Sequence, residues 1–303
     1  MSLTIQKSFE ERPNGTPGKL YLVATPIGNL EDMTYRAVRT LQEADIIAAE
    51  DTRQTRKLLT HFEISPGQLL SYHEHNKSAS GPELIRLIIE GKNLALVSDA
   101  GLPAISDPGS DLVKLAVEAG ISVIPIPGAN AALSALIVSG LPTERFQFVG
   151  FLPRDNKDRD HLLTSLQDEE NTLLMYESPH RLIKTLESLQ QAWGDRKVVL
   201  ARELTKRYEE MARGTLSECL EWLQEHPPLG EYCLVVAGAN PEDVKERKDA
   251  WWQSLSVEEH VLHYEEQEGI SRKEAMKKTA GDRGVSKRDI YKVVAVDEKE
   301  ERK

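Results

Sequence analysis

The sequence predicts an α/β protein made of two α/β domains followed by a small helical module. Three observations carry this. Short apolar, β-rich runs alternate with helical patterns over the first 240 or so residues, which is the signature of βαβ units and a mainly parallel sheet. The alternation is interrupted once, at Gly140-Leu-Pro-Thr143, which reads as a linker. After Gly238-Ala-Asn-Pro241 the strand candidates give way to polar helical sequence. A chain of 303 residues, 40% apolar and 29% charged, has room for two globular cores and an appendage.

In order along the chain, residues 1–17 carry acids, Pro and Gly without an apolar stretch and read as a mobile tail rather than a signal peptide. Lys19–Thr25 reads as a strand, and Thr34–Glu43 as a helix spaced by Ala37, Val38 and Leu41. Ile46–Ala49 is a strand and the stretch to His61 a helix. Leu69–Tyr72 and Leu94–Val97 are strands around a helical Pro82–Glu90. Asp111–Ala119 is a helix, Val123–Ile126 a strand, and Ala131–Ser139 a helix of small residues. The second set has strands at Phe146–Phe151, Thr172–Tyr176, Val198–Ala201 and Tyr232–Ala237, with helices between them. Asp243–Lys292 is helical, with one strand candidate at Tyr291–Val296. The expected division is a tail over 1–17, α/β domains over 18–130 and 131–239, and a helical module with a charged end over 240–303.

Two cysteines, Cys219 and Cys233, are too few for a metal site and read as small core residues of a reducing compartment. No apolar run reaches the roughly 20 residues that cross a bilayer, so the expected location is the cytoplasm. The net charge of −11 argues against a nucleic-acid partner for the chain as a whole. Ile270–Lys292 departs from that average. Eight cations there (Arg272, Lys273, Lys277, Lys278, Arg283, Lys287, Arg288 and Lys292) face only Glu274, Asp282 and Asp289, a local balance of +5. Ser271 and Ser286 read as N-caps of two basic helices split by Gly281–Gly284, the pattern of a helix-turn-helix.

Active sites of parallel sheets lie beyond the C-terminal strand ends. The loop Ser98–Gly109 is the most informative there. Gly101 and Gly109 allow close backbone approach, Pro103 and Pro108 stiffen the path, and Asp99 and Asp107 can accept hydrogen bonds from a ribose or an ammonium group. This composition suits an amino-acid-bearing nucleoside better than a phosphate. Asp107-Pro108 also reads as the cap and first residue of a helix. The chain lacks GxGxxG after its first strand, GxxxxGK[ST] and HExxH. His73 and His75 would share a face on a strand, but no third ligand accompanies them, and no metal is expected. In the second set, Arg154, His180, Arg181, Arg202 and Lys206 fall near strand ends, a cationic grouping suited to a polyanion. Ser178-Pro179 reads as a helix start.

The stretches LYLVATPIGNLEDMTYRAVRTLQEADIIAAEDTRQTRKLL, LVSDAGLPAISDPG, PIPGANAALSAL, FVGFLP, YESPHR and ARELTK follow one another from about Lys19 to Ala237. In this order they resemble the tetrapyrrole methylase superfamily, and within it the branch that methylates cytidine 2′-oxygens of small-subunit (16S) ribosomal RNA. The resemblance implies two α/β domains with S-adenosylmethionine in the cleft between them, and a homodimer. It places the cofactor against Pro26, Ser98, Asp99, Ala100, Gly101, Ser106, Gly128, Ala129 and Ala131, with Phe151 and Tyr176 contributed by the second domain. It implies a cytidine of the decoding region as the methyl acceptor.

A ribose hydroxyl needs a base to become a nucleophile. Glu50, Asp51 and His73 are the candidates, with Glu74 and Glu177 behind them, and the residues alone leave the choice open. Arg53, Arg154 and Arg181, with Lys277, Lys278, Lys287 and Arg288 of the helical module, are the expected RNA contacts. The rival readings are methylation of a tetrapyrrole (corrin) precursor, modification of a translation factor, and a non-catalytic RNA-binding protein. The basic helical module and Ala49–Arg53 disfavour the first two, and the intact Ser98–Gly109 loop disfavours the third.

Overall fold

The computed structural model describes residues 5–8, 15–249 and 251–300. The remainder of the N-terminal stretch and residues 301–303 lie outside the described residues. Two compact units result: the chain up to Gln167 together with Asn171–Gly238, and Asp168–Glu170 together with the chain from Ala239 onward.

The first sheet of the larger unit is built from β1 (Lys19–Val23), β2 (Ile46–Ala49), β3 (Gln68–Ser71), β4 (Leu94–Val97) and β5 (Ser122–Ile126). Its order is β3-β2-β4-β1-β5, with every pairing parallel. The central strands β2 and β4 are buried at every residue, as a sheet covered on both faces requires. Alternation then sorts their side chains. Ile47 and Ala49 join Ala37 and Leu41 of α1 (Tyr35–Glu43) and Leu59 of α2 (Thr52–His61) on one face. Ile46 and Ala48 join Leu84 and Ile88 of α3 (Lys77–Ile89) and Leu112 and Ala116 of α4 (Gly109–Glu118) on the other. Each fully buried leucine or isoleucine contributes about 1.5–3 kcal/mol relative to exposure.

Two helices begin earlier than the sequence suggested. α3 starts at Lys77 and takes Pro82 into its interior. α4 starts at Gly109, with Pro108 in the cap position. Asp107 still closes the helix start, because its Oδ1 accepts from both Gly109 N and Ala104 N. His73 and His75 follow β3 in a turn rather than on a strand; Asn76 Oδ1 accepts from His73 N, and the two rings lie 6.0 Å apart. Within the N-terminal stretch, the Gln6 amide exchanges two hydrogen bonds with the backbone of Val123 on the edge strand β5.

The second sheet comprises β6 (Phe146–Phe151), β7 (Thr172–Glu177), β8 (Lys197–Arg202), β9 (Glu210–Thr215) and β10 (Tyr232–Val236) in the order β6-β7-β10-β8-β9. It is mixed: β6 and β7 are parallel, while β10 inserts antiparallel between β7 and β8 and β9 closes the edge antiparallel to β8. β9 carries no apolar signature, because an edge strand of sequence EMARGT leaves its side chains half in water. One face packs Leu163 of α6 (Asn156–Ser165), Leu186, Leu189 and Trp193 of α7 (Leu182–Trp193), and Leu216 and Cys219 of α8 (Leu216–Glu225). The other face packs Ala132, Ala135 and Leu136 of α5 (Ala131–Ser139) against Leu174, Val199, Cys233 and Val235.

The smaller unit holds α9 (Pro241–Asp249), α10 (Val257–Glu268), α11 (Arg272–Asp282) and α12 (Lys287–Glu300). Ser256 and Ser271 each close a capping box with the glutamate three residues on. Ser286 Oγ accepts from Asp289 N at 3.3 Å. Tyr291–Val296 is therefore helix, not strand: Ile290 and Val294 are spaced four apart and face Val261, Ala275 and Met276. Buried His260 bonds Asp282 and Arg283 and ties α10 to the end of α11.

Candidate active site

The C-terminal ends of the first sheet's strands carry three polar loops. After β1, Thr25 exchanges backbone hydrogen bonds with Gly101, joining the Pro26 loop to the loop after β4. The Ser98 hydroxyl donates to the carbonyls of Ala100 and Gly101, so this side chain shapes the loop from beneath. Gly101 has φ +80°, where a side chain is strained, and a Cβ there would lie 3.4 Å from Ile27 and 3.6 Å from the Ala129 carbonyl. Gly128 serves close packing: a Cβ there would fall 2.8 Å from that of Ala24.

These loops and the second sheet enclose a cavity of about 440 Å³. Of the residues expected at the cofactor, Ala100, Gly101, Ala131, Phe151 and Tyr176 line it. Tyr176 meets Phe148 and Phe151 at ring-centroid distances of 5.2 and 5.6 Å, forming an aromatic wall. Pro26, Ser98, Asp99, Ser106, Gly128 and Ala129 stand outside the lining and belong to the loops that support it. The hydroxyl of Ser106 lies 3.3 Å from where a Cβ on Gly150 would sit.

Sequence reasoning placed Lys206 among the strand-end cations and missed the acidic residues that hold it. Lys206, from the loop after β8, salt-bridges Glu203 at 3.0 Å and Glu231 at 2.9 Å, and all three line the cavity. Its side chain lies across Gly28, where a Cβ would approach Lys206 Cγ to 2.4 Å. Thr205 Oγ1 accepts from Asn29 N, tying the Pro26 loop to the second sheet. Ser178 and Pro179 also line the cavity; they form a turn and not a helix start, because α7 begins only at Leu182, where the Ser178 carbonyl accepts from Arg181 and Leu182. Cys233 lines it too, and burial pushes its thiol up to about 12, so it behaves as a hydrophobe.

Backbone strain marks the same region. Among described non-glycine residues, Glu63, Ala104, Ser106, Glu203 and Thr205 adopt positive φ. Four of these five lie in the loops after β4 and β8, the loops that supply Ile105, Glu203, Leu204 and Lys206 to the cavity. Strain of this kind costs about 1–3 kcal/mol per residue and collects where a ligand site is held ready.

The base candidates separate clearly. Asp51 caps α2 by accepting from Arg53 N and pairs with the Arg53 guanidinium, which holds its carboxyl down at about 2. Glu50, at the end of β2, is raised above its ordinary 4.5 by burial first, then by Asp99 and Asp107, with His73 opposing. His73 Nδ1 is buried without a hydrogen-bond partner. Glu177 is occupied, accepting from Thr185 Oγ1 at 2.7 Å. Among the expected RNA contacts, Arg154 is exposed and Arg181 is turned inward, donating to the Leu152 carbonyl at 2.8 Å beside Glu177. Lys277, Lys287 and Arg288 are exposed in the smaller unit, where Lys278 pairs with Glu268. No cluster of three or more His, Cys, Asp or Glu fit for a metal occurs among the described residues, and no helix there is long and apolar enough to cross a membrane.

Residues 19–220 match the family model of tetrapyrrole (corrin/porphyrin) methylases. The chain is 58% identical over 288 residues to ribosomal RNA small subunit methyltransferase I of Halalkalibacterium halodurans, covering 95% of this chain and 98% of that one. It is 53% identical to the protein of that name in Bacillus subtilis, over 90% and 93% of the two chains. Among solved structures, a cobalt-precorrin-4 methyltransferase of cobalamin biosynthesis aligns with a TM-score of 0.57 at 19% identity, over 75% of this chain and 97% of that one. A Thermus thermophilus uroporphyrin-III C-methyltransferase complexed with S-adenosyl homocysteine aligns at 0.51 and 19%, over 73% and 97%. At these identities the solved structures share the fold.

Proposed function

The chain belongs to the tetrapyrrole methylase family, among the ribosomal RNA small subunit methyltransferase I proteins, and we propose that it transfers a methyl group from S-adenosylmethionine to a cytidine 2′-oxygen in the decoding region of 16S ribosomal RNA. The observation that carries the reading is the full-length 58% identity, which spans both sheets and the basic helical unit. The cobalt-precorrin-4 and uroporphyrin-III methyltransferase structures cover a smaller share of the chain, 75% and 73%, at 19% identity. We further propose a cytoplasmic homodimer, with the two α/β domains meeting near Ala131.

The cavity fits the cofactor. Its volume is that of a small-molecule pocket, its lining is largely apolar around Tyr176, and Gly101 holds a φ of +80° that a side chain would strain. Ala100, Gly101, Ala131 and Tyr176 would hold the cofactor, with Lys206, Glu203 and Glu231 at a polar edge. Bound there, it supplies an electrophilic methyl on a sulfonium.

The chain's own residues orient the acceptor and take its proton. A carboxylate held above its usual range by burial and by Asp99 and Asp107 is a better base near neutral pH than one held at 2. Of the two, Glu50, which stands outside the residues that line the cavity, is the proposed acceptor of the 2′-hydroxyl proton, and Asp51 and Arg53 are a helix cap and its partner. Among the described residues no hydrogen bond or ion pair engages exposed Arg154, which is the proposed phosphate contact. Low polarity in the cavity favours a reaction that neutralises the sulfonium charge, and fixed geometry supplies much of the remaining rate.

The test is transfer of labelled methyl from S-adenosylmethionine to small subunits, or to their rRNA, lacking the modification. Transfer to either supports the assignment. Transfer to a tetrapyrrole alone overturns the substrate, and absence of cofactor binding in a calorimeter overturns the enzyme.

A further inference from the structure

The core packing of α12 fixes which side chains it presents to water. Ile290 and Val294 are buried with Val261 of α10 and Ala275, Met276 and Ala280 of α11. With that rotation set, Lys287, Arg288, Tyr291 and Lys292 fall within an arc of about 140° on a helix of 3.6 residues per turn, and all four are exposed.

Tyr291 is the unusual member. It is 60% exposed, and among the described residues no hydrogen bond, ring contact or ion pair engages it. Lys287 and Arg288 precede it by one turn, and Lys292 follows it with only a 3.8 Å contact to the exposed Asp289, a pairing of little energetic weight. Folding of the helical unit gains little from an aromatic ring left in water among three cations. The arrangement does match one ligand chemistry. Cations neutralise phosphates, while a flat ring stacks on a base whose face is uncovered. A duplex hides its base faces and offers such a ring no partner. The patch is also electrostatically distinct, since Ile270–Lys292 is positive by five charges in a chain of −11.

We propose that this face of α12 binds an unpaired segment of RNA, with Tyr291 stacked on a base and Lys287, Arg288 and Lys292 against the flanking phosphates. The proposal rests on RNA being the substrate and adds the structural class of RNA that the smaller unit selects.

Full-length protein is titrated by fluorescence anisotropy with a labelled short single strand, its duplex, and an unmodified 16S rRNA transcript. Tyr291→Ala should weaken single-strand and transcript binding about 5- to 100-fold. Tyr291→Phe, which keeps the ring, should stay near wild type, and duplex binding should respond to neither. Lys287→Ala with Arg288→Ala should flatten the salt dependence for every probe. Thermal melts establish that each variant is folded. Wild-type binding to Tyr291→Ala, an equal loss in Tyr291→Phe, or an equal loss on duplex would each overturn the stacking face. Methyl transfer by the wild-type enzyme, measured alongside, is decided separately: its absence sinks the rRNA assignment, whereas its presence with an unaffected Tyr291→Ala sinks only this proposal.

Discussion

Removing the charge of Glu50 separates chemistry from stability. Its carboxyl titrates above the ordinary 4.5 because burial, Asp99 and Asp107 disfavour the anion. The folded state therefore holds the proton more tightly than the unfolded chain. Ionisation costs stability from the unfolded value upward, and the cost levels off above the raised folded value. Glu50→Gln should melt higher than wild type near pH 7.5 and equally near pH 4, while its kcat falls about 10²- to 10⁴-fold. The acid limb of the wild-type pH–rate profile should lie above the ordinary glutamate range. A Gln variant with wild-type kcat would remove Glu50 from the chemistry. Gly101 gives a second test at this scale. Gly101→Ala forces a Cβ onto a φ of +80°, costing about 1–2 kcal/mol, and so strains the loop that lines the cavity. Calorimetry should find weaker cofactor binding, and an unchanged Kd would show that the cradle is not where the ligand lies.

At the scale of elements, α5 is the joint that carries a wall of the cavity. Asn130 caps it, with Oδ1 accepting from Leu133 N at 2.9 Å, and Asn130 and Ala131 both line the cavity. Asn130→Ala should destabilise the protein by about 1 kcal/mol and raise the KM for the cofactor, read from melts and steady-state kinetics together. A lower melting point with an unchanged KM would confine Asn130 to the cap. How legible an element was in the sequence followed from its burial. Strands β2 and β4, IIAA and LALV, announce themselves because both faces are covered. β9 did not, because its edge position tolerates polar residues. The strand suggested at Tyr291–Val296 took the middle of a helix as extended, and only packing reveals that Val294 is buried together with Ile290, one turn before it.

At the scale of the whole molecule, an acidic chain handles a polyanion by concentrating its cations. Replacing Lys277, Lys278, Lys287 and Arg288 by Ala should weaken rRNA binding and reduce the slope of log K against log salt by about 3, the sum expected for four phosphate contacts. Binding assays across a salt series measure it, and an unchanged slope would return these side chains to ordinary solvation. Because Lys278 already pairs with Glu268, its single replacement should have the smallest effect of the four.

Glycines, prolines and carboxylates after the strands of the first sheet were visible in the sequence because loop chemistry is local: Gly101 and the Ser98–Gly109 path needed only their own backbone to be recognised. The motif order from Lys19 to Ala237 determined the family in the same way. Tertiary structure alone decided the other half of the cavity. Lys206, Glu203 and Glu231 meet because Glu231 immediately precedes β10, which inserts antiparallel beside β8, and strand order leaves no trace in local periodicity. It likewise decided between neighbouring carboxylates. Glu50 and Asp51 are adjacent in sequence, yet one is desolvated among acids and the other is clamped to Arg53, and a side chain's charge state depends on what the fold places around it.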